Sequence, residues 1–110
     1  MLDKTPLRAE FQSTVAGTTL LVLTGDLDYD TAAELFTLAE ELFSEELRHL
    51  ELDLSGLDFI DSSGVAALIN LYNATRDHDA TMRIIALTSY LRHLFKVTAL
   101  DQVFDLPPAS

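Results

Sequence analysis

The sequence predicts an α/β fold, a mixed sheet of four to five strands that opens with a β-hairpin and carries about three to four helices. Three observations lead there. The chain begins with period-two alternation around Ala9 to Val15, changes to helical spacing from Thr31, and then repeats strand-then-helix patterning through Phe95. That order makes the sheet antiparallel at its hairpin edge and otherwise parallel, with right-handed crossovers that lay the helices against it.

Each element has its own justification. Ala9, Phe11, Ser13 and Val15 share one side of an alternating run, Thr18 to Thr24 is β-branched and apolar, and Ala16-Gly17 separates the two as a hairpin turn. Ala32, Leu35, Phe36, Ala39, Leu42, Phe43 and Leu47 recur at helical spacing behind a capping box, Thr31-Ala-Ala-Glu34, which predicts a first helix over 31–47. Leu50, Leu52 and Leu54 alternate with Glu51 and Asp53 as a strand. Beyond Leu57, Phe59 and Ile60, a second helix carries Val65, Leu68, Ile69 and Tyr72 as its apolar stripe. Met82 to Leu87 reads as a strand, Ser89 as the cap of a third helix bearing Leu91, Leu94 and Phe95, and Val103-Phe104 as an edge strand.

Length and composition set the frame. A chain of 110 residues fits one domain over 1–110 with one core and buries roughly two-thirds of its unfolded surface; only the ends, about 1–6 and 107–110, read as loosely held. Its 48% hydrophobic and 23% charged residues match soluble globular averages. The net charge of −11 repels nucleic-acid phosphates and anionic lipid heads, so neither nucleic acid nor membrane is expected as a partner. The longest charge-free run, Ser62 to Thr75, is too short to span a bilayer, and no stretch resembles a secretory leader. Cytoplasmic residence is the expectation. With no cysteine there is no disulfide, thiolate nucleophile or Cys-based zinc site.

Several constellations fail as chemical sites. Asp26-x-Asp28-x-Asp30 opens like a calcium loop, yet Thr31 and Thr37 stand where such a loop needs Gly and a bidentate Glu. The same carboxylates could suggest an aspartate-phosphorylated receiver or a Mg²⁺-dependent phosphatase, but no late strand ends in the Lys a receiver uses. A solvated turn feeding a helix start explains them. Asp77-His78-Asp79 reads as a polar turn, and neither His49 nor His93 has a partner that marks a catalytic base. Glu40, Glu41, Glu45 and Glu46 form the wet face of the first helix, and Arg92 with Lys96 the one basic spot. No catalytic residue, no metal site and no cofactor is expected.

The informative stretch is Leu52 to Gly64, Leu-Asp-Leu-Ser-Gly-Leu-Asp-Phe-Ile-Asp-Ser-Ser-Gly, which delivers two hydroxyls from a strand end to the first turn of a helix. On the residues alone two readings stand. A phosphate there would meet free N–H groups and the positive end of the helix dipole. Equally, Ser62 or Ser63 would simply cap the helix, worth about 1 kcal/mol.

Phe59-Ile60-Asp61-Ser62-Ser63-Gly64, preceded by Leu52-Asp53-Leu54, resembles the signature of the STAS domain of bacterial anti-sigma-factor antagonists. Upstream, Leu23-Thr24-Gly25-Asp26-Leu27-Asp28 followed by Thr31-Ala32 is similar to that family's strand-end motif and helix start, and Leu91 to Leu100 resembles its "vkrLFdmtGL" segment. The resemblance implies a STAS-like fold, and it makes Ser62, with Ser63 as the alternative, the target of an anti-sigma-factor serine kinase. The unmodified domain would bind that kinase and free a sigma factor; the phosphorylated form would let go until a protein serine phosphatase resets it. Asp28, Asp61, Ser62, Ser63 and Gly64 would form the partner-binding turn. The alternative is a STAS module that serves a lipid-transport or sensor complex with the serine unused. Departures are Gly64-Val65-Ala66 for Gly-Leu-Gly, Asp77-His78-Asp79-Ala80 for a glycine-bearing turn, Ala99 where a glycine is frequent, and a short or missing last helix after Leu106.

Overall fold

The computed structural model describes residues 5–43 and 46–108. Among the described residues four strands stand in the order β1-β2-β3-β4: β1 (Arg8–Ser13), β2 (Thr18–Leu27), β3 (His49–Ile60) and β4 (Thr81–Leu87). β1 and β2 pair antiparallel as a hairpin, while β2 with β3 and β3 with β4 run parallel. Between and after them lie α1 (Tyr29–Glu40), α2 (Ser62–Asp77) and α3 (Ser89–Val97), followed by a single 3₁₀ turn over Leu100–Gln102. The mixed α/β architecture is the predicted one.

One face of the sheet builds the core. Leu21 faces Leu52 and Leu52 faces Ile84 across the parallel ladders, and with Leu23, Leu50, Leu54 and Met82 they are buried against Leu35, Leu68, Leu71, Leu91 and Phe95 of the helices. Because side chains alternate along a strand, Glu51, Asp53 and Arg83 fall on the opposite, wetter face. The stripe of α2 is turned from the expected one: Ala67, Leu68 and Leu71 are buried, whereas Val65, Ile69 and Tyr72 pack at the margin.

Several expected boundaries are corrected. α1 starts at Tyr29, because Asp28 is its cap and Thr31 its third residue: Asp28 Oδ1 accepts from the N–H of Asp30 and Thr31 at 3.0 and 3.2 Å, and Thr31 Oγ1 accepts from the Asp28 N–H at 2.9 Å. The capping box is real but sits one turn earlier than Thr31–Glu34. α1 ends at Glu40, short of Leu47, with no basic residue in its last turn. Glu40 and Glu41 there oppose the negative end of the helix dipole, which discourages another turn. Residues 44–45, including Glu45 of the expected wet face, lie outside the described residues, as do 1–4 and 109–110 of the ends expected to be loose.

Thr88, rather than Ser89, caps α3, its hydroxyl accepting from the Leu91 N–H at 3.1 Å. Val103-Phe104 is not a strand. Phe104 is buried edge-on against Phe95 and Tyr72, with ring centroids 5.5 and 6.0 Å away, and among the described residues this segment meets β4 in the one bridge of Arg83 with Asp105. Packing of the aromatic ring outweighed strand propensity. At the other end Thr5 exchanges hydrogen bonds with Asp26, N–H to Oδ2 and C=O to N–H, both at 3.1 Å.

Candidate functional site

The parallel strands all run the same way, so α1, α2 and α3 begin at the same end of the sheet, on the carboxyl side of the strands where α/β folds place their sites. β2 and β3 are paired to their last residues, Leu27 with Ile60, and this brings the starts of α1 and α2 side by side.

Asp61 joins the two starts. It is the cap of α2: its Oδ1 accepts from the Gly64 N–H at 3.0 Å, and its Oδ2 accepts from the Tyr29 N–H, the first residue of α1, at 3.2 Å. One carboxylate therefore satisfies an otherwise unpaired N–H at each of two helix N-termini, where negative charge is favoured. With Asp61 as cap, neither Ser62 nor Ser63 is needed for that task, and among the described residues no hydrogen bond holds either hydroxyl. The capping role expected for one of the serines is thus overturned. Ser62 is exposed at the first position of α2 and Ser63 is half-buried.

Gly64 explains its own identity. A Cβ there would lie 2.3 Å from the Leu27 carbonyl oxygen and 2.7 Å from Ile60 Cγ1, so only glycine lets α2 start this close to the paired strand ends. Gly25 is required for a comparable reason, having φ +92° and the Pro6 carbonyl oxygen 2.0 Å from where a Cβ would fall.

Asp28 is 3% exposed and turned into the start of α1, so the structure uses it to fix that helix beside the serine turn. The residues it presents to solvent are its neighbours: Tyr29, 79% exposed, and Asp30. Phe59, 46% exposed, and exposed Asp58 lie near the end of β3, just before the turn. No motif in the sequence marks Tyr29 or Phe59 as a surface group of the site. A Tyr directly after a cap residue was the available sign, since the first position of a helix is rarely buried in a core.

Between α1 and α2 runs an open groove of about 480 Å³, lined by Ala32, Ala33, Phe36 and Thr37 on one wall and Ser63, Ala66, Ala67 and Asn70 on the other. It starts at the serine turn. Among the described residues no group of three or more His, Cys, Asp or Glu side chains gathers to hold a metal ion, and no helix is long and apolar enough to cross a membrane. His49 Nδ1 lies 2.7 Å from Thr81 Oγ1, and His78 stacks on Phe43 with centroids 4.5 Å apart, so both imidazoles have local structural partners.

The family model described as the STAS domain matches residues 8–109. The chain belongs to the STAS domain family. The anti-sigma-B factor antagonist of Listeria monocytogenes serovar 1/2a is 22% identical over 86 residues, covering 78% of this STAS chain and 75% of the relative. An anti-sigma factor antagonist from Mycobacterium paratuberculosis superposes with a TM-score of 0.82 at 22% identity, over 94% of this chain and 87% of the other. The anti-sigma factor antagonist SpoIIAA in its unphosphorylated form superposes at 0.74 with 16% identity, over 94% and 89%. These superpositions establish a common STAS fold.

Proposed function

We propose that this STAS domain is an anti-sigma-factor antagonist: it binds an anti-sigma-factor serine kinase, frees the sigma factor that kinase holds, and is released when the kinase phosphorylates Ser62. A protein serine phosphatase would return it to the binding form. The domain contributes no catalysis of its own in this scheme, works in the cytoplasm, and uses neither a cofactor, a nucleic acid nor a membrane.

The observation that carries this reading is an exposed Ser62 whose hydroxyl no hydrogen bond among the described residues claims, Asp61 doing the capping. A kinase needs a hydroxyl it can reach. Phosphorylation adds about −1.5 to −2 charge at pH 7. Here that charge arrives beside the Asp61 carboxylate, close to exposed Asp30 and Asp58, on a chain already at −11. A docked protein must then desolvate or neutralise the phosphate, a cost of several kcal/mol when no matching cation is present. The helix start itself offers the phosphate some compensation, so the fold can persist while the partner leaves. Asp28 and Gly64 set the geometry of the turn, Asp61 and Ser63 border the acceptor, and Ser63 is the alternative acceptor.

Incubation of the purified domain with the anti-sigma-factor kinase of its own organism and ATP, followed by intact-mass measurement, is the test. One added phosphate that is absent in Ser62→Ala and retained in Ser63→Ala is the expected result. No added mass, or a phosphate that survives Ser62→Ala, contradicts the proposal.

A further inference from the structure

The helix that Ser62 opens differs from the rest of the molecule in one respect: it carries no charged residue from its first position to Thr75. Of 110 residues 25 are charged, 18 acidic and 7 basic, yet the stretch Ser62 to Thr75 has none, including the exposed positions Ala66, Asn70 and Asn73 of α2. Exposed helix faces normally carry charge, and a chain this acidic has carboxylates to spare. Depletion of charge together with exposed aromatic groups is what distinguishes the centre of a protein interface from ordinary surface.

The facing helix supplies the aromatic groups. Tyr29, Ala33 and Phe36 stand at i, i+4 and i+7 of α1 and so share one face, and Tyr29 and Phe36 are 79% and 41% exposed. Seven residues of helix separate them by about 10 Å. Tyr29 is held at its backbone by the bond from its N–H to Asp61, so the ring projects from a main-chain position fixed beside the serine turn. On the far side of the groove stand Ser63, Ala66 and Asn70, small enough to leave it open.

We infer that the α1–α2 groove, anchored by Tyr29 and Phe36, is the main docking surface for the same kinase that modifies Ser62. This rests on the functional reading above and adds where the partner sits and what it must look like. Its chemistry follows from the rim, where exposed Asp30 and Glu34 border the aromatic face. The occupant is a ridge of apolar side chains on the kinase flanked by Lys or Arg, which matches an uncharged floor with an acidic margin. A phosphate on Ser62 would lie at the mouth of this groove, next to Ser63 on its wall, which explains how modification of one hydroxyl dislodges a larger contact.

Affinity of the purified kinase for the domain, measured by calorimetry without ATP, tests the inference with Tyr29→Ala, Phe36→Ala and Ala66→Arg. Each is expected to weaken binding at least about fivefold, the level at which a truncated interface residue counts as contributing. Tyr90→Ala on α3, an exposed residue that does not line the groove, is expected to leave binding unchanged. Tyr29→Phe, which keeps the ring, should restore most of the affinity, and circular dichroism should show every variant folded. Wild-type affinity in both Tyr29→Ala and Ala66→Arg, with the kinase still modifying Ser62, overturns the inference and leaves the functional reading intact. A kinase that neither binds nor modifies the wild-type domain overturns both.

Discussion

Two helices of this domain begin alike and differ in what surrounds them. α2 follows Asp61 with Ser62 at its first position, and α3 follows Thr88 with Ser89 at its first position; in each the cap accepts from the N–H of the third residue, Gly64 or Leu91, and each serine is exposed. A helix start and an accessible hydroxyl therefore do not select an acceptor. Around Ser62 lie Asp61, Tyr29 and an uncharged groove, whereas Ser89 is followed on its own helix by Arg92, His93 and Lys96. A phosphate on Ser89 would find nearby cations and be partly neutralised. One on Ser62 would stand as added negative charge at the edge of a docking surface, which is what a switch requires.

The largest effect expected from this contrast is all-or-none. Ser62→Ala should abolish phosphorylation by the kinase, and Ser89→Ala should leave it unchanged, as read by intact mass; equal labelling in both would erase the distinction between the two helix starts.

The third position of each helix gives the next test. Leu91 fits as a buried core residue, but a methyl at Gly64 meets the Leu27 carbonyl at 2.3 Å. Gly64→Ala should therefore cost about 3 kcal/mol of stability by overpacking, measured by denaturant unfolding. The caps follow. Asp61→Ala removes the acceptor for two N–H groups and should cost about 2 kcal/mol, against about 1 kcal/mol for Thr88→Ala, which removes one. Equal losses would mean that the bond to Tyr29 contributes nothing.

The smallest effect lies beyond the end of α3. Ala99 has φ +62°, a left-handed conformation that L-residues other than Gly, Asn and Asp adopt at a cost of about 1 kcal/mol. Ala99→Gly is thus expected to raise stability by up to that amount, a gain offset in part by the freer unfolded chain.

Much of the fold was legible because its signals are local. Ala16-Gly17 between two alternating runs marks a hairpin, and Leu50, Leu52 and Leu54 mark a strand whatever the rest of the chain does. The boundaries that went astray were decided by competition. Asp28 and Thr31 both suit a cap, and Asp28 prevails because the end of β2 delivers it there, with Thr31 Oγ1 also donating to the Asp26 carbonyl at 3.0 Å. Phe104 is held by Phe95 and Tyr72, from segments a propensity argument cannot connect. At the site, Asp61, Ser62 and Gly64 were legible from one motif. The bond from Tyr29 to Asp61 spans 32 positions in sequence, and the groove exists only once two helices pack, so neither could be read from the chain.

In the proposed switch, charge at one hydroxyl controls occupancy of a neighbouring surface. Its most direct test compares the kinase's affinity for the unmodified domain with its affinity for the same domain phosphorylated at Ser62. A loss on the order of 100-fold is expected, as when an unmatched charge is forced into an interface. Equal affinity for the two forms would contradict it.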